Sequence, residues 1–233
     1  MDRTWEFWVE SVKGARHRRK KMKCQDQYSC KMIDGKIAVA LVDGIGKTDV
    51  NAMAGKRVSE MVVTFLHEYS ENIKDAKEYV IAFNLMRQVQ RLLDRMSKEY
   101  RVDMKELAST LLGIYINPHE DYYVICHLGD GVIASLDFNK NVRIISEPQN
   151  GRSMNQTILT TSDAALGNMK IRKSTLGNID SFVMATDGFY STREEKNALN
   201  RVFMVEKEGD KIEEKIDDQT VIKIFCTERE NKS

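Results

Sequence analysis

Residues 37–46 read IAVALVDGIG: six apolar residues, then a carboxylate, then two glycines that bracket Ile45. Six consecutive apolar positions closed by a turn pair mark a buried strand. Packing alone gives such a strand no reason to end in Asp43 and Gly44, yet MATDG at 184–188 ends in the same way. A repeat of apolar strand, aspartate and glycine asks for one cause acting at the ends of two strands.

The strand sits in a chain of 233 residues, 42% of them hydrophobic, which is enough for one large domain with a real core, and residues 1–233 read as that single domain. Formal net charge is +1, so any electrostatic specialisation has to be local. It lies at residues 13–23, KGARHRRKKMK, where seven of eleven residues are Lys or Arg. No aromatic residue interleaves there, which favours a solvated loop over a nucleic-acid or anionic-membrane surface. Cys24, Cys30, Cys126 and Cys226 lack CxxC spacing, the start does not resemble a signal peptide, and no apolar run approaches the ~18 residues of a membrane span. The expectation is a soluble, cytoplasmic monomer with neither nucleic-acid nor membrane partners.

Outward from IAVALVDG, the preceding YSCKMIDGK supplies a second strand and a turn at Asp34-Gly35, and TWEFWVESV (4–12) reads as another strand. Apolar residues then recur at helical spacing through Met53, Val58, Met61, Val62, Phe65, Leu66 and Tyr69. A second helix is expected over 75–100, burying Tyr79, Val80, Phe83, Met86, Val89, Leu92, Leu93 and Met96. LASTLLGIYI, DYYVICHLGDGVIASLD and NVRIIS follow as a strand meander, with NPHE turning a hairpin. Residues 147–178 are polar and weakly periodic, and read as a lid, a small subdomain or a mobile flap. SFVMATDG restores the core, a short helix is expected after Thr192, and FMVEKEG and DDQTVIKIFC close the chain as strands. Strands flanking two long helices make an α+β layered domain.

Asp26, Asp43, Asp130, Asp187 and the pair Asp217 and Asp218 sit at strand ends rather than on solvated helix faces. Carboxylates near a core are costly, and several converging on one spot repel unless a cation compensates them. Oxygen-only ligands suit Mg²⁺ or Mn²⁺, whereas zinc favours His or Cys, and His67, His119 and His127 show no metal spacing. At Gly44 and Gly188 the missing side chain lets the backbone turn out of the sheet and present its carbonyl. Two ions about 4 Å apart can share a water, lower its pKa and offer it to phosphorus, so phosphate-ester hydrolysis suits the set. GIGKT (44–48) imitates a P-loop, but the first glycine of GxxxxGK[ST] would fall at Leu41, inside the strand.

In order, CQD (24–26), VDGIG (42–46), AST (108–110), LGDG (128–131), ATDGFY (185–190) and DDQTVI (217–222) resemble the type-2C metal-dependent protein phosphatases, with spacing most like the bacterial branch. That resemblance implies a four-layer α-β-β-α sandwich of two antiparallel sheets flanked by helices. It also implies two or three Mn²⁺ or Mg²⁺ ions, hydrolysis of phosphoserine and phosphothreonine in proteins, and a cognate Ser/Thr kinase as a possible partner. Carried over by position, Asp43 is the bridging ligand, Gly44 a carbonyl ligand and Asp26 a direct or water-mediated ligand. Asp187 and Asp217 hold the other ion, and Asp130 serves a weaker site. Turnover would depend on Asp43 and Asp187.

Three departures from the family stand out. Lys21 falls where the family has a phosphate-gripping arginine and lacks its planar fork, so Arg18, Arg19 or His17 could take the task. Ile45 replaces the histidine that many eukaryotic members carry, leaving leaving-group protonation to water or another residue. Asp218 stands where asparagine is usual, which opens the choice of ligand between Asp217 and Asp218, with Asp217 preferred. A catalytically weak or silent member that binds phosphoproteins as a regulator is the alternative these departures suggest.

Overall fold

The computed structural model describes residues 3–46, 48–149, 157–189, 202–203 and 216–228. Strand β1 (Arg3–Val12) and the short helix α1 (Ala15–Arg19) lead into the hairpin of β2 (Asp26–Ile33) and β3 (Lys36–Asp43). Helices α2 (Asp49–Glu68), α3 (Ser70–Ile73) and α4 (Glu78–Tyr100) follow, then β4 (Leu111–Asn117), β5 (Tyr122–Leu128), β6 (Val132–Asp137) and β7 (Val142–Ser146). Helix α5 (Ala165–Asn168), β8 (Lys170–Thr175), β9 (Ile179–Ala185) and β10 (Gln219–Glu228) complete the described elements.

The strands form two five-stranded antiparallel sheets, one in the order β1-β10-β9-β6-β7 and the other β2-β3-β4-β5-β8. IAVALV has no polar alternation because β3 is covered on both faces. Ala38, Ala40 and Val42 pack among Val58, Val62, Leu66, Leu85 and Val89 of α2 and α4. Ile37, Val39 and Leu41 point the other way, into the gap between the sheets, against Trp5, Phe182, Met184 and Ile222. The outer face of the first sheet, carrying Val132, Ala134, Val183 and Val221, is covered by Val202 and Phe203, which are helical. Lys223 Nζ ties that layer down by donating to the Phe203 carbonyl at 2.8 Å. Helix, sheet, sheet, helix is the expected four-layer order. Among the described residues no helix is long and apolar enough to cross a membrane.

Several expectations need correction. The meander of residues 107–146 is cut in the middle: β5 pairs with β4 and β8, whereas β6 pairs with β7 and β9 in the other sheet. The chain changes sheet at LGDG, where Gly129 takes a φ of +110° and a side chain would press into Thr110. Apolar runs on either side of that turn look alike in sequence because both enter the same core. Residues 170–175, inside the segment read as a lid or flap, form the edge strand β8, held by pairing rather than by an apolar pattern. Helix α4 buries Ile81, Ala82, Leu85, Met86, Val89, Leu93 and Met96, while Tyr79 and Phe83 are exposed. Its buried stripe follows the shape of the second sheet, and the two aromatics fall one flank outside it. Phe203 begins FMVEKEG in a helical turn instead of a strand; the rest of that stretch and the helix expected after Thr192 lie outside the described residues.

The crossover carries a buried histidine. His127 Nε2 donates to the Gly129 carbonyl at 3.0 Å, so Nδ1 accepts from Ser146 Oγ at 2.6 Å, joining the two sheets where the chain passes between them. Burial pushes its pKa from 6.5 down to about 4. The unfolded chain therefore takes up this proton first, and stability is lost as pH falls from about 6.5 through about 4. His127→Gln should remove that part of the pH dependence, read as a smaller drop in urea midpoint across the window.

Candidate metal centre

The register of the β2-β3 hairpin decides where the first two acids lie. Its turn puts Asp34 and Gly35 at φ of +50° and +72°, the two-residue geometry that matches strand twist, and brings Asp26 directly opposite Asp43. Asp43 continues the set Ile37, Val39, Leu41, so strand alternation turns it toward the first sheet, and its partner Asp26 shares that face. The other sheet meets them there. Thr186, just past β9, donates from Oγ1 to Asp26 Oδ2 at 2.9 Å and accepts from the Thr220 amide of β10 at 3.0 Å. Asp187 opens the turn after Thr186, Asp217 and Asp218 precede β10, and Asp130 lies in the crossover before β6.

Glycines let these ends close. A Cβ at Gly44 would collide with the Asn51 side chain on α2, and one at Gly188 with the Asp218 carbonyl. Thr110 holds the β3 end from both sides, its Oγ1 accepting from the Asp43 amide at 3.0 Å and its own amide donating to the Asp43 carbonyl at 2.9 Å.

Asp43, Asp130, Asp187 and Asp217 line a cavity of about 380 Å³ together with Gly44, Ile45, Gly46, Arg16, His17 and Lys20. Asp26, paired with Asp43, is buried, and its Oδ1 has no hydrogen-bond partner among the described residues. Burial, followed by Asp26, Asp187, Asp130 and Asp217, holds Asp43 well above the ordinary carboxylate range. Burial with the nearby Asp130 and Asp217 pushes Asp187 up to about 6, a hydrogen bond from Asp43 partly offsetting it. Burial, against the Thr186 hydrogen bond, takes Asp26 to about 7.

Among the described residues no three His, Cys, Asp or Glu side chains stand around one point so as to hold an ion. The acids are gathered by the fold without being closed around a centre. Their chemistry fits a hard cation: every donor is an oxygen, one buried carboxylate oxygen has no hydrogen-bond partner among the described residues, and the charges repel one another. Asp26, Asp43, Asp130, Asp187, Asp217 and the Gly44 carbonyl are the groups that could hold it.

The family described as Protein phosphatase 2C matches residues 13–218. The chain belongs to the protein phosphatase 2C family. Among solved structures it is similar to a bacterial serine phosphatase at 15% identity, with 96% of this chain and 98% of that one covered and a TM-score of 0.65. It is also similar to the serine/threonine phosphatase Stp1 from Staphylococcus aureus, at 15% identity, 95% of each chain covered and a TM-score of 0.63. RsbX in complex with magnesium follows at 14% identity, 96% of each chain and a TM-score of 0.52. At such identities the likeness is one of fold. Among curated proteins no sequence matches.

Within this protein phosphatase 2C chain the two adjacent aspartates have separate tasks. Asp217 faces the cavity, whereas Asp218 is buried and its oxygens are taken internally. Asp218 Oδ1 accepts from the Gly14 amide at 2.7 Å, and Oδ2 accepts from the Gln25 amide at 2.5 Å and meets His17 Nδ1 at 2.8 Å. Burial pushes the Asp218 carboxyl up, but these donors prevail and hold it below its usual range. One side chain thus ties both ends of the basic stretch to the start of β10. An asparagine could not receive all three donors so well, which gives this departure a structural cause.

The basic stretch folds as α1 and does not present its charges in sequence order. Arg19 and Lys21 are exposed and are not among the residues lining the cavity; Arg16 and Lys20, one helical turn apart, are. Read as a solvated loop, the stretch gives no reason to single out Arg16. Gly14 followed by residues 16 and 20 at helical spacing was the available signal. His17, expected as one of the residues that could grip the phosphate in place of Lys21, is buried and is the Asp218 partner.

Asp218→Ala should cost on the order of 2–4 kcal/mol in folding stability, because it leaves two buried amides and His17 without their acceptor, and Asp218→Asn should cost less; urea unfolding measures both. For the metal-free protein the acids set the opposite pH trend to His127. With Asp26 raised to about 7 and Asp187 to about 6 from 3.8, the folded state holds protons that the unfolded chain has released. Its stability should decline as pH rises from about 4 to about 7, and Mn²⁺ should restore it at the upper end, read as a thermal midpoint with and without the ion.

Proposed function

We propose that the chain hydrolyses phosphoserine and phosphothreonine in proteins, using two or three Mn²⁺ or Mg²⁺ ions. The observation that carries the proposal is the meeting of Asp43, paired with the buried Asp26 on one sheet, with Asp187 and Asp217 beside the ends of the other around a single cavity. Asp43 would be a ligand common to the ions, with Asp26, the Gly44 carbonyl, Asp187 and Asp217 as further ligands and Asp130 at a weaker site. When bound, the ions supply acidification of water and neutralise charge on the phosphoryl oxygens.

The rest falls to the chain. The Thr110 and Thr186 hydrogen bonds hold Asp43 and Asp26 in place, so these two acids are positioned before a substrate arrives. Arg16 and Lys20 line the same cavity and bring positive charge that draws a phosphate dianion inward. Ile45 reaches the cavity but carries no proton, so the departing serine or threonine oxygen takes its proton from water or another wall residue. The partners implied are a phosphorylated protein and a kinase that supplies it.

Asp43→Asn and Asp187→Asn should each lower Mn²⁺-dependent release of phosphate from phosphothreonine peptides by about a hundredfold or more while leaving the fold intact. Normal turnover in both variants would refute the assignment. The absence of a proton at Ile45 also favours a second reading, a silent member that binds phosphoproteins. Wild-type protein that takes up Mn²⁺ in calorimetry yet leaves phosphopeptides intact would decide for it.

A further inference from the structure

Asp217 is not left bare in the cavity. Arg16 Nη2 donates to both its oxygens, at 2.9 and 3.1 Å, and the Asp218 amide donates to Oδ1 at 3.1 Å. The guanidinium is delivered by fixed backbone: the Arg16 amide donates to the Ile216 carbonyl at 3.0 Å, and the Asp218 clamp holds α1 beside it. A side chain at Gly14 would strike the Asp217 backbone, so the helix can lie this close only with glycine at its start. Both partners are about half exposed, at 48% and 49%, so water screens the pair and it can be exchanged.

We infer that Arg16 is a displaceable counter-ion through which metal and phosphate binding are coupled; the inference rests on the phosphatase reading in taking Asp217 as a ligand. The guanidinium and the Asp218 amide occupy lone pairs on both Asp217 oxygens and offset its charge, so a divalent ion binding there competes with Arg16. The freed guanidinium is always charged and stands on the wall of the same cavity, where a phosphoryl group would accept its donors. A phosphoryl ligand that takes Arg16 in turn uncovers Asp217. Each ligand thereby tightens the other by the same factor.

The test is Mn²⁺ calorimetry on the full chain, with and without phenylphosphonate, for wild type, Arg16→Gln, Arg16→Lys and Lys20→Gln. Lys20→Gln removes the same charge from the same cavity without touching Asp217, and so measures the general effect of charge. Arg16→Gln should bind Mn²⁺ about three- to tenfold more tightly than Lys20→Gln, and Arg16→Lys should fall between wild type and Arg16→Gln. Phenylphosphonate should tighten Mn²⁺ binding to wild type and Lys20→Gln by a factor about three- to tenfold larger than in Arg16→Gln. Equal Mn²⁺ affinity in the two glutamine variants, or an equal phosphonate gain in all four proteins, overturns the coupling while leaving the phosphatase reading in place. No Mn²⁺ uptake by wild type overturns the reading itself.

Discussion

Asp26 and Asp43 stand directly opposite each other in an antiparallel ladder, an arrangement that like charges oppose. Everything around the cavity follows from tolerating it. The pair cannot relax into solvent, because β3 is buried on both faces and its alternation directs Asp43 into the gap between the sheets. It cannot spread into the other sheet, because the ends of β9 and β10 bring Asp187 and Asp217 to the same place. The remaining outlets are protonation, which the raised pKa values of Asp26, Asp43 and Asp187 express, and a cation.

The sandwich and the site are therefore one piece of engineering under a single load. Thr186 spans from β10 to Asp26, Thr110 grips Asp43, and Asn51 of α2 presses against Gly44. Asp218 extends the same logic to the positive side: it is sacrificed as a cavity ligand to bind Gly14, His17 and Gln25, and so sets α1 across from the acids. On the cavity side Arg16 meets Asp217 directly, in a contact that is half exposed.

Much of this was legible in the residues. IAVALVDG and MATDG announce buried strands that end in charge, and the positions named from them, Asp43 and Asp187, do face one cavity along with Asp130 and Asp217. The turn at Asp34-Gly35 and both long helices are local matters of φ and period, and they lie where the pattern puts them. The sheet change at LGDG was hidden, since β5 and β6 are equally apolar and a strand carries no mark of which sheet it joins. Strand β8 was hidden too: KIRKST is polar, and it is a strand because the β5 edge offers it backbone partners.

By itself, then, the sequence determined which residues are chemically capable, because residue type, glycine placement and strand period are properties of short stretches. It could not decide which of two neighbouring aspartates meets the cavity or which of seven basic residues opposes them. Asp217 is outside and Asp218 inside because Gly14 and Gln25, near in space and distant in sequence, supply amides that only the folded chain brings within 2.7 and 2.5 Å of one carboxylate. Arg16 faces the acids because α1 is docked on residues 216–218, a contact between the two ends of the chain. Such long-range pairings are set by the register of β1 against β10, and no local pattern encodes them.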